Sequence, residues 1–373
     1  MSKLKKIIYA VATLSGTTVG VGIFSLPYIA SRAGLVVTVA YFLILGLVTI
    51  AVHLIFGELA VATPDFKRLP GFAQFYLGKW GKRLSFLVAV LGALGALLAY
   101  LIVGGEFLTS LFSPFLGGER IFYTLLYFVV GALLIFLGIK IIAQIELISL
   151  ILFFLVLVII FFQAQGAIKT ENLVLYPAQL NLALLFLPYG AVLFSLWGAT
   201  LIPEVEEMLK KEKKLLRVII PVATLIPMII YLFFIYAVLG ICGTGTTESA
   251  LGGLYDYLGD GIVSLMLLFG VLTTFTSFIT LGLTLKRVFW YDLKIGKNWA
   301  WVLACFPPLI AFLLGFKSFI TVISLSGGIL LGLEGILILL MYQKAKRKGW
   351  VFALPLILVF VLGLILEIIY FSK

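Results

Sequence analysis

The residues best suited to bind a small charged molecule lie in an apolar segment near the start of the chain, which reads SGTTVGVGIFSLP from Ser15 to Pro27. Its glycines each cost about 1 kcal/mol of helicity relative to alanine. A break in a helix leaves backbone N–H and C=O groups unpaired, and within a bilayer these are tolerated only where protein packs them or they line a cavity. The segment therefore predicts a broken helix with a binding site at the break.

A second weakened segment runs from Leu187 to Pro203 and reads LPYGAVLFSLWGATLIP. Gly190, Ser195 and Gly198 interrupt its middle in the same way. Paired interruptions at corresponding positions of two halves of a chain are the best sequence indication of a transporter site near the bilayer midplane. We expect the two breaks to face each other across a shared polar hollow.

The breaks offer partners for both charges of a free amino acid. Backbone N–H groups at the start of the outer half-helix suit a carboxylate. Unpaired carbonyls at the end of the inner half, near Ser15 and Gly16, and at Phe194, suit an ammonium group. The predicted substrate contacts, including threonine hydroxyls and an indole wall, are Ser15, Gly16, Thr17, Thr18, Gly20, Val21, Gly22, Ile23, Phe194, Ser195 and Trp197. The alternative for the threonines is hydrogen bonding to their own helix, and for Trp197 it is ordinary packing.

These segments belong to a chain that is 63% hydrophobic and 12% charged, far from the composition of soluble domains. Hydropathy predicts about eleven membrane spans, so the expected fold class is an all-α polytopic membrane protein whose residues 1–373 form one transmembrane domain. In order, the predicted spans are 6–30, 35–61, 84–112, 121–139, 143–164, 181–203, 216–241, 261–285, 299–315, 318–342 and 350–370.

Basic residues are distributed unevenly between the loops. With an inner amino terminus, 22 of the 27 Lys and Arg residues fall on the inner side. The positive-inside rule then predicts a protein of the cell membrane with a cytoplasmic amino terminus and an outer carboxyl terminus. This asymmetry accounts for the net charge of +11. We therefore expect the protein to interact with the lipid bilayer and not with nucleic acid.

Three segments, GTTVGVGIFSLPYIASRAGL in span one, FSLWGATLIPEV in span six and TTFTSFITLGLTLK in span eight, resemble the amino acid/auxin permeases and the related hydroxy and aromatic amino acid permeases. Both belong to the amino acid-polyamine-organocation superfamily. The resemblance implies the leucine-transporter fold, with inverted five-helix repeats at 1–164 and 181–342 and an extra helix at 350–370. It also implies that a bundle of spans one, two, six and seven moves against a scaffold of spans three, four, eight and nine.

Span eight places Thr273, Ser277, Thr280 and Thr284 on one helix face. Hydroxyl oxygens suit a hard cation, and family members with sodium sites use a Ser/Thr pair of this span beside span-one carbonyls. The resemblance thus implies Thr273 and Ser277, with Thr276 as the alternate, as ligands of Na⁺. Interhelical hydrogen bonding without an ion is the alternative.

Ionisable side chains inside predicted spans suggest a different coupling ion. A charge within the membrane costs of the order of 3 kcal/mol, so such groups must face protein or water, or be protonated. Glu106 in span three and Glu334 in span ten are therefore candidate carriers of H⁺. His53 and Glu58 of span two lie nearer the inner side, where snorkelling or a structural pair would explain them.

The leading hypothesis is Na⁺- or H⁺-coupled symport of a neutral, aromatic or branched L-amino acid by alternating access. Another small organic amine or a nucleobase on the same fold, and an amino acid sensor that does not transport, are the alternatives. We expect no enzyme, because the chain has one histidine and no G-x-S-x-G motif. We also expect no cofactor and no metal beyond a coupling Na⁺. The substrate's identity, the stoichiometry, the direction of transport and the oligomeric state stay open.

Overall fold

The computed structural model describes residues 3–65, 67–138, 154–155, 158, 162, 166–177, 181–254, 258, 260–346 and 350–371. Predicted span five, at 143–164, lies outside the described residues except at 154–155, 158 and 162. In the described part, eight helices are long and apolar enough to cross a membrane, or nine when the bent amino-terminal pair counts as one span. A shorter apolar helix of 17 residues, Lys297–Leu313, coincides with predicted span nine.

Most predicted spans correspond to a single helix, whereas spans one, six and ten are divided. Spans two, three and four are α3 (Leu35–Ala62), α4 (Leu69–Leu116) and α5 (Arg120–Leu137), and spans seven, eight, nine and eleven are α9 (Leu216–Cys242), α10 (Asp260–Arg287), α11 (Lys297–Leu313) and α14 (Trp350–Phe371). Span one comprises α1 (Lys3–Thr18), a 3₁₀ turn (Val21–Ser25) and α2 (Leu26–Ala33). Span six comprises α6 (Leu182–Phe186), α7 (Pro188–Leu196), a 3₁₀ turn (Ala199–Leu201) and α8 (Ile202–Leu209). Span ten comprises α12 (Phe319–Leu325), a π-helical segment (Ser326–Leu331) and α13 (Gly332–Ala345).

The helices pack as two groups. In one group, α9 packs against α1 and α3, and α3 packs against α7, which joins spans one, two, six and seven. In the other group, α10 packs against α4, α5 and α11, which joins spans three, four, eight and nine. These contacts join the members of each group that the resemblance implies, while α13 packs against both α3 and α4.

Glycine residues are responsible for a bend in α4 and for a close contact between spans six and ten. Gly78 adopts a φ of 77° and bends α4, so the residues before it form a separate short helix ahead of the part that matches predicted span three. Gly327 in the π-helical segment lies against Gly190 in α7, where a Cβ built on Gly327 would lie only 1.9 Å from the Gly190 carbonyl oxygen. Spans six and ten can approach this closely only because both residues lack a side chain.

Ion pairs join several spans on the side predicted to be cytoplasmic. Lys6 Nζ lies 2.7 Å from Glu212 Oε1, linking span one to the loop before span seven. Glu58 at the end of span two pairs with Lys346 and lies 3.7 Å from Arg217. Glu58 is thus paired at a helix end, as the structural alternative predicts.

Candidate substrate site

Span one breaks at Val19 and Gly20. Helix α1 ends at Thr18, Gly20 adopts an extended conformation (φ −115°, ψ −155°), and the two halves of the span meet at 49°. No side chain caps the 3₁₀ turn that follows, and the first N–H groups of a helix have no partner within it. The Ile23 N–H, also expected to be a donor for the substrate, instead bonds the Gly20 carbonyl at 3.4 Å. The N–H groups of Val21 and Gly22 therefore form a donor pair at the start of the outer half.

Span six breaks at Trp197 and Gly198. Helix α7 ends at Leu196, Trp197 is extended (φ −80°, ψ 118°), and the chain resumes as a 3₁₀ turn at Ala199. The last carbonyl groups of α7 accept no hydrogen bond from N–H groups of the same helix. The interruption falls beside Gly198, one of the three residues expected to break this segment, whereas Gly190 and Ser195 lie inside α7.

The two breaks lie in direct contact. A Cβ built on Gly22 would lie 2.4 Å from Ser195 Oγ and 3.2 Å from Phe194 Cδ1. A Cβ built on Gly198 would lie 2.8 Å from Thr18 Oγ1. A side chain at either crossing point would displace the Ser195 or the Thr18 hydroxyl. Ser195 and Phe194 occupy the position of the expected polar hollow.

Tyr231 of α9 connects the two breaks. Its fully buried hydroxyl lies 2.7 Å from the Thr18 carbonyl oxygen and 3.0 Å from the Ser195 carbonyl oxygen. A hydroxyl has one proton, so two acceptors share a single donor. Sequence reasoning missed Tyr231, because no local pattern distinguishes it from the other tyrosines of the chain.

Glu334 and His53 surround the break in span six. Trp197 Nε1 donates to Glu334 Oε1 across 3.1 Å, and the Gly198 N–H donates to His53 Nε2 across 3.4 Å. The His53 and Trp197 rings meet edge to face, 5.2 Å apart. His53 is 1% exposed, so snorkelling to the membrane surface is wrong for this residue. Its Nδ1 is buried and has no hydrogen-bond partner among the described residues.

The inner half of span one ends later than expected. The Ser15 carbonyl accepts the Val19 N–H at 3.0 Å, and the Ser15 hydroxyl donates to the Ala223 carbonyl at 3.2 Å, so Ser15 serves packing against span seven. The Thr18 hydroxyl donates to the Leu14 carbonyl at 2.8 Å, which is the predicted alternative for the threonines. Gly16 lies within α1, and the Thr17 side chain lies outside the described part. The carbonyl acceptor of span one is therefore that of Thr18.

The span-eight hydroxyls belong to a different region. The Thr276 hydroxyl donates to the Leu272 and Thr273 carbonyls of its own helix, at 3.0 and 3.1 Å. Thr273 Oγ1 is buried without a partner among the described residues, and Ser277 is also buried. Helix α10 packs most closely with α4, α5 and α11 rather than with span one. The structure thus places Thr273, Thr276 and Ser277 on a helix whose main neighbours are spans three, four and nine.

The two candidate proton carriers have different surroundings. Glu106 accepts a hydrogen bond from Arg120 Nη2 at 3.1 Å and another from the Ser249 hydroxyl, and its side chain is 27% exposed. Glu334 is 2% exposed and contacts Trp197 at a break. Of the two, the structure brings Glu334 to the predicted substrate site.

Comparisons with known proteins agree with this architecture. The family model of the tryptophan/tyrosine permeases matches residues 3–369. A curated relative, the tyrosine-specific transport system 1 of Haemophilus influenzae, is 25% identical over 398 residues, which cover 99% of this chain and 97% of that protein. These relatives are transporters, which confirms that the chain is not an enzyme.

Solved structures show the same fold at low sequence identity. The crystal structure of MhsT in complex with L-phenylalanine is 16% identical, with a TM-score of 0.65 over 100% of this chain and 98% of that chain. The inward-facing conformation of Mhp1 is also 16% identical, with a TM-score of 0.70 over 96% and 88%. The expected leucine-transporter fold is thereby confirmed. Together with two broken spans in contact, the match over nearly the whole length shows that the chain belongs to the tryptophan/tyrosine permease family.

Proposed function

We propose that this permease carries an aromatic L-amino acid across the cell membrane by alternating access. The observation that supports it best is the Tyr231 hydroxyl, which lies 2.7 and 3.0 Å from the Thr18 and Ser195 carbonyl oxygens. An ammonium group carries several N–H donors and can satisfy both carbonyls better than one hydroxyl proton. The amino group of the substrate takes these carbonyls, and its carboxylate takes the N–H groups of Val21 and Gly22.

The aromatic preference rests on the side chains around the break in span six. Phe194 lies beside Gly22, and Trp197 contacts the rings of His53 and Phe360 edge to face. A substrate ring can join this group in the same geometry, which contributes about 0.5–1.5 kcal/mol per ring pair beyond area burial. The family's description, and the tyrosine and L-phenylalanine named for the two relatives, favour the same substrate class.

We propose H⁺ as the coupling ion, with Glu334 as its carrier. The Glu334 carboxyl accepts a hydrogen bond from Trp197 at the break. Protonation of Glu334 weakens this bond, and a movement of span six at Trp197 breaks it, so the two events are coupled. One charge that enters through 100 mV supplies about 2.3 kcal/mol to accumulate substrate. Na⁺ held by Thr273 and Ser277 is the alternative, and it requires α10 to approach span one.

Three further expectations belong to this proposal. The amino terminus is cytoplasmic and the carboxyl terminus is outside, as the distribution of Lys and Arg predicts. The repeats comprise 1–164 and 181–342, followed by the extra helix at 350–370. The chain belongs, with the amino acid/auxin permeases, to the amino acid-polyamine-organocation superfamily.

Uptake into proteoliposomes tests the proposed function. Labelled tyrosine, tryptophan, phenylalanine and leucine are offered with an imposed proton or sodium gradient at clamped potential. We expect accumulation of the aromatic amino acids driven by the proton gradient. Accumulation driven by a sodium gradient alone would identify Na⁺, and not H⁺, as the coupling ion. Substrate binding without flux under either gradient would identify a sensor.

A further inference from the structure

A buried carboxyl outside the substrate site lies between spans six, ten and eleven. Glu367 of α14 is 3% exposed. A Cβ built on Gly190 would lie 2.5 Å from Glu367 Oε1, and one built on Gly328 would lie 2.8 Å from its Cδ. The carboxyl thus fills a notch that exists because both residues are glycines. We call this the outer notch, formed by Gly190, Gly328 and Glu367.

Two buried hydroxyls on residues next to the outer notch have no hydrogen-bond partner among the described residues. They are the Tyr189 hydroxyl and the Ser324 hydroxyl, on residues 4% and 1% exposed. Tyr189 precedes Gly190 in the chain, and the Ser324 carbonyl lies 2.3 Å from the Cβ built on Gly190. Buried polar groups are nearly always hydrogen-bonded, so a change in the packing of spans six and ten can supply these two hydroxyls with a partner.

The groups that face Glu367 do not neutralise a negative charge. The titratable side chains near it are the phenols of Tyr189 on α7, Tyr41 on α3 and Tyr370 on its own helix. Glu334 on the adjoining α13 bonds Trp197, and α6 carries no titratable side chain. No Lys, Arg or His forms an ion pair with Glu367 within the described ranges. An unpaired carboxylate at membrane depth costs several kcal/mol, so the closed notch fits the protonated carboxyl.

We propose that Glu367 is a proton-binding site that controls closure of the outer half of span six against span ten. A proton from the external water binds a carboxylate oxygen, and the uncharged carboxyl then fits the dry outer notch. Loss of that proton leaves a carboxylate that retains water, which keeps α7 away from the π-helical segment. The inference rests on the proposed function, because such closure is a step of alternating access.

Close packing makes this closure sensitive to a single charge. The Gly190 carbonyl lies so near Gly327 that a Cβ there would come within 1.9 Å of it. A water molecule that hydrates Glu367 therefore has no room unless spans six and ten separate. Protonation of Glu367 and contact between Gly190 and Gly327 occur together.

The test compares wild type, Glu367→Gln and the exposed control Glu119→Gln in proteoliposomes. Glutamine has about the size of protonated glutamate, and its side chain is uncharged at every pH of the experiment. Initial tyrosine uptake is measured against external pH at fixed internal pH and clamped potential. From about pH 6 to about pH 8.5 we expect the rate to fall at least about threefold more in wild type and in Glu119→Gln than in Glu367→Gln, whose remaining pH dependence comes from the coupling proton on Glu334. An equally steep profile in Glu367→Gln would overturn the proposal.

Two measurements separate this proposal from the proposed function. Glu367→Gln is expected to accumulate tyrosine under a proton gradient, because Glu334 still carries the coupling proton, whereas Glu334→Gln is not. Absence of tyrosine flux in wild type would contradict the proposed function itself. Loss of a sodium dependence in Glu367→Gln, with the pH profile intact, would assign the site to Na⁺ and overturn the proton proposal.

Labelling of wild type gives a result that does not depend on a variant folding. Dicyclohexylcarbodiimide reacts with protonated carboxyls in apolar surroundings. Peptide mapping by mass spectrometry is expected to find Glu367 modified at acidic external pH, and several-fold less at alkaline pH. Labelling that is absent at acidic pH, or independent of pH, would contradict a titrating site.

Discussion

The Tyr231 hydroxyl donates to the Thr18 carbonyl oxygen at 2.7 Å, and this bond ties span seven to the point where span one unwinds. The same hydroxyl lies 3.0 Å from the Ser195 carbonyl at the other break. Tyr231 thus occupies, in this structure, the acceptors proposed for the substrate's amino group. Binding of substrate must release or share this hydroxyl.

Replacement of Tyr231 by Phe is expected to tighten substrate binding. The empty variant leaves the buried Ser195 carbonyl without the Tyr231 donor and the Thr18 carbonyl with only the Gly20 N–H. This costs about 1–3 kcal/mol, and the substrate's ammonium removes that cost. We expect the Kd for tyrosine to fall by about tenfold, measured by calorimetry on the purified protein. Tyr291→Phe, at a side chain that is 62% exposed, is the control. Weaker binding in Tyr231→Phe would show instead that the hydroxyl itself holds the substrate.

Replacement of Glu334 by Gln is expected to uncouple transport from the proton gradient. The amide oxygen still accepts the Trp197 N–H, so the break keeps its packing while the titratable group is lost. Tyrosine should then equilibrate across proteoliposomes without accumulation, whereas wild type accumulates it. The exposed control Glu171→Gln should accumulate tyrosine as wild type does. Full accumulation in Glu334→Gln would exclude Glu334 as the carrier.

The positions of the breaks could be predicted because local composition determines them. Glycines next to residues that weaken a helix lower helicity whatever packs around them, so Gly20 and Gly198 were identifiable from their own segments. The end of α1 was predicted one turn too early. The Val19 N–H still bonds the Ser15 carbonyl, so the helix persists through Thr18.

The residues that complete the site could not be predicted, because they depend on contacts between distant spans. Tyr231 is 213 positions from Thr18, and Trp197 is 137 from Glu334. No periodicity within one helix shows which face meets a break in another. Glu367 differs, since a search for ionisable residues in the apolar stretch 350–370 would have found it. Only the glycine notch around it required the structure.

Replacement of Gly22 by Ala is expected to block transport by separating the two breaks. The new Cβ would lie 2.4 Å from Ser195 Oγ, and overpacking of this kind costs about 1–3 kcal/mol. We expect tyrosine uptake to fall by about tenfold or more. Gly92→Ala is the matched control, because no atom lies within 4 Å of its Cβ position.

A second substitution checks the physical reason for that loss. Gly22→Ala combined with Ser195→Ala removes the nearest atom and should restore part of the uptake. Equal uptake by Gly22→Ala and Gly92→Ala would show that contact between the breaks is not needed for transport.

Replacement of Glu248 by Gln, in the loop after span seven, is expected to stabilise the protein at neutral pH. Burial raises the pKa of this carboxyl above its ordinary value of 4.5, although N–H groups of Ile320 and Phe319 oppose the shift. With a raised pKa the folded state holds its proton longer than the unfolded state, so the free energy of unfolding decreases as pH rises above 4.5. Thermal unfolding in detergent should therefore show Glu248→Gln above wild type at neutral pH and equal to it below pH 4.5, where wild type is also uncharged. The same difference at both pH values would mean that the amide acts through a new hydrogen bond rather than through the lost charge.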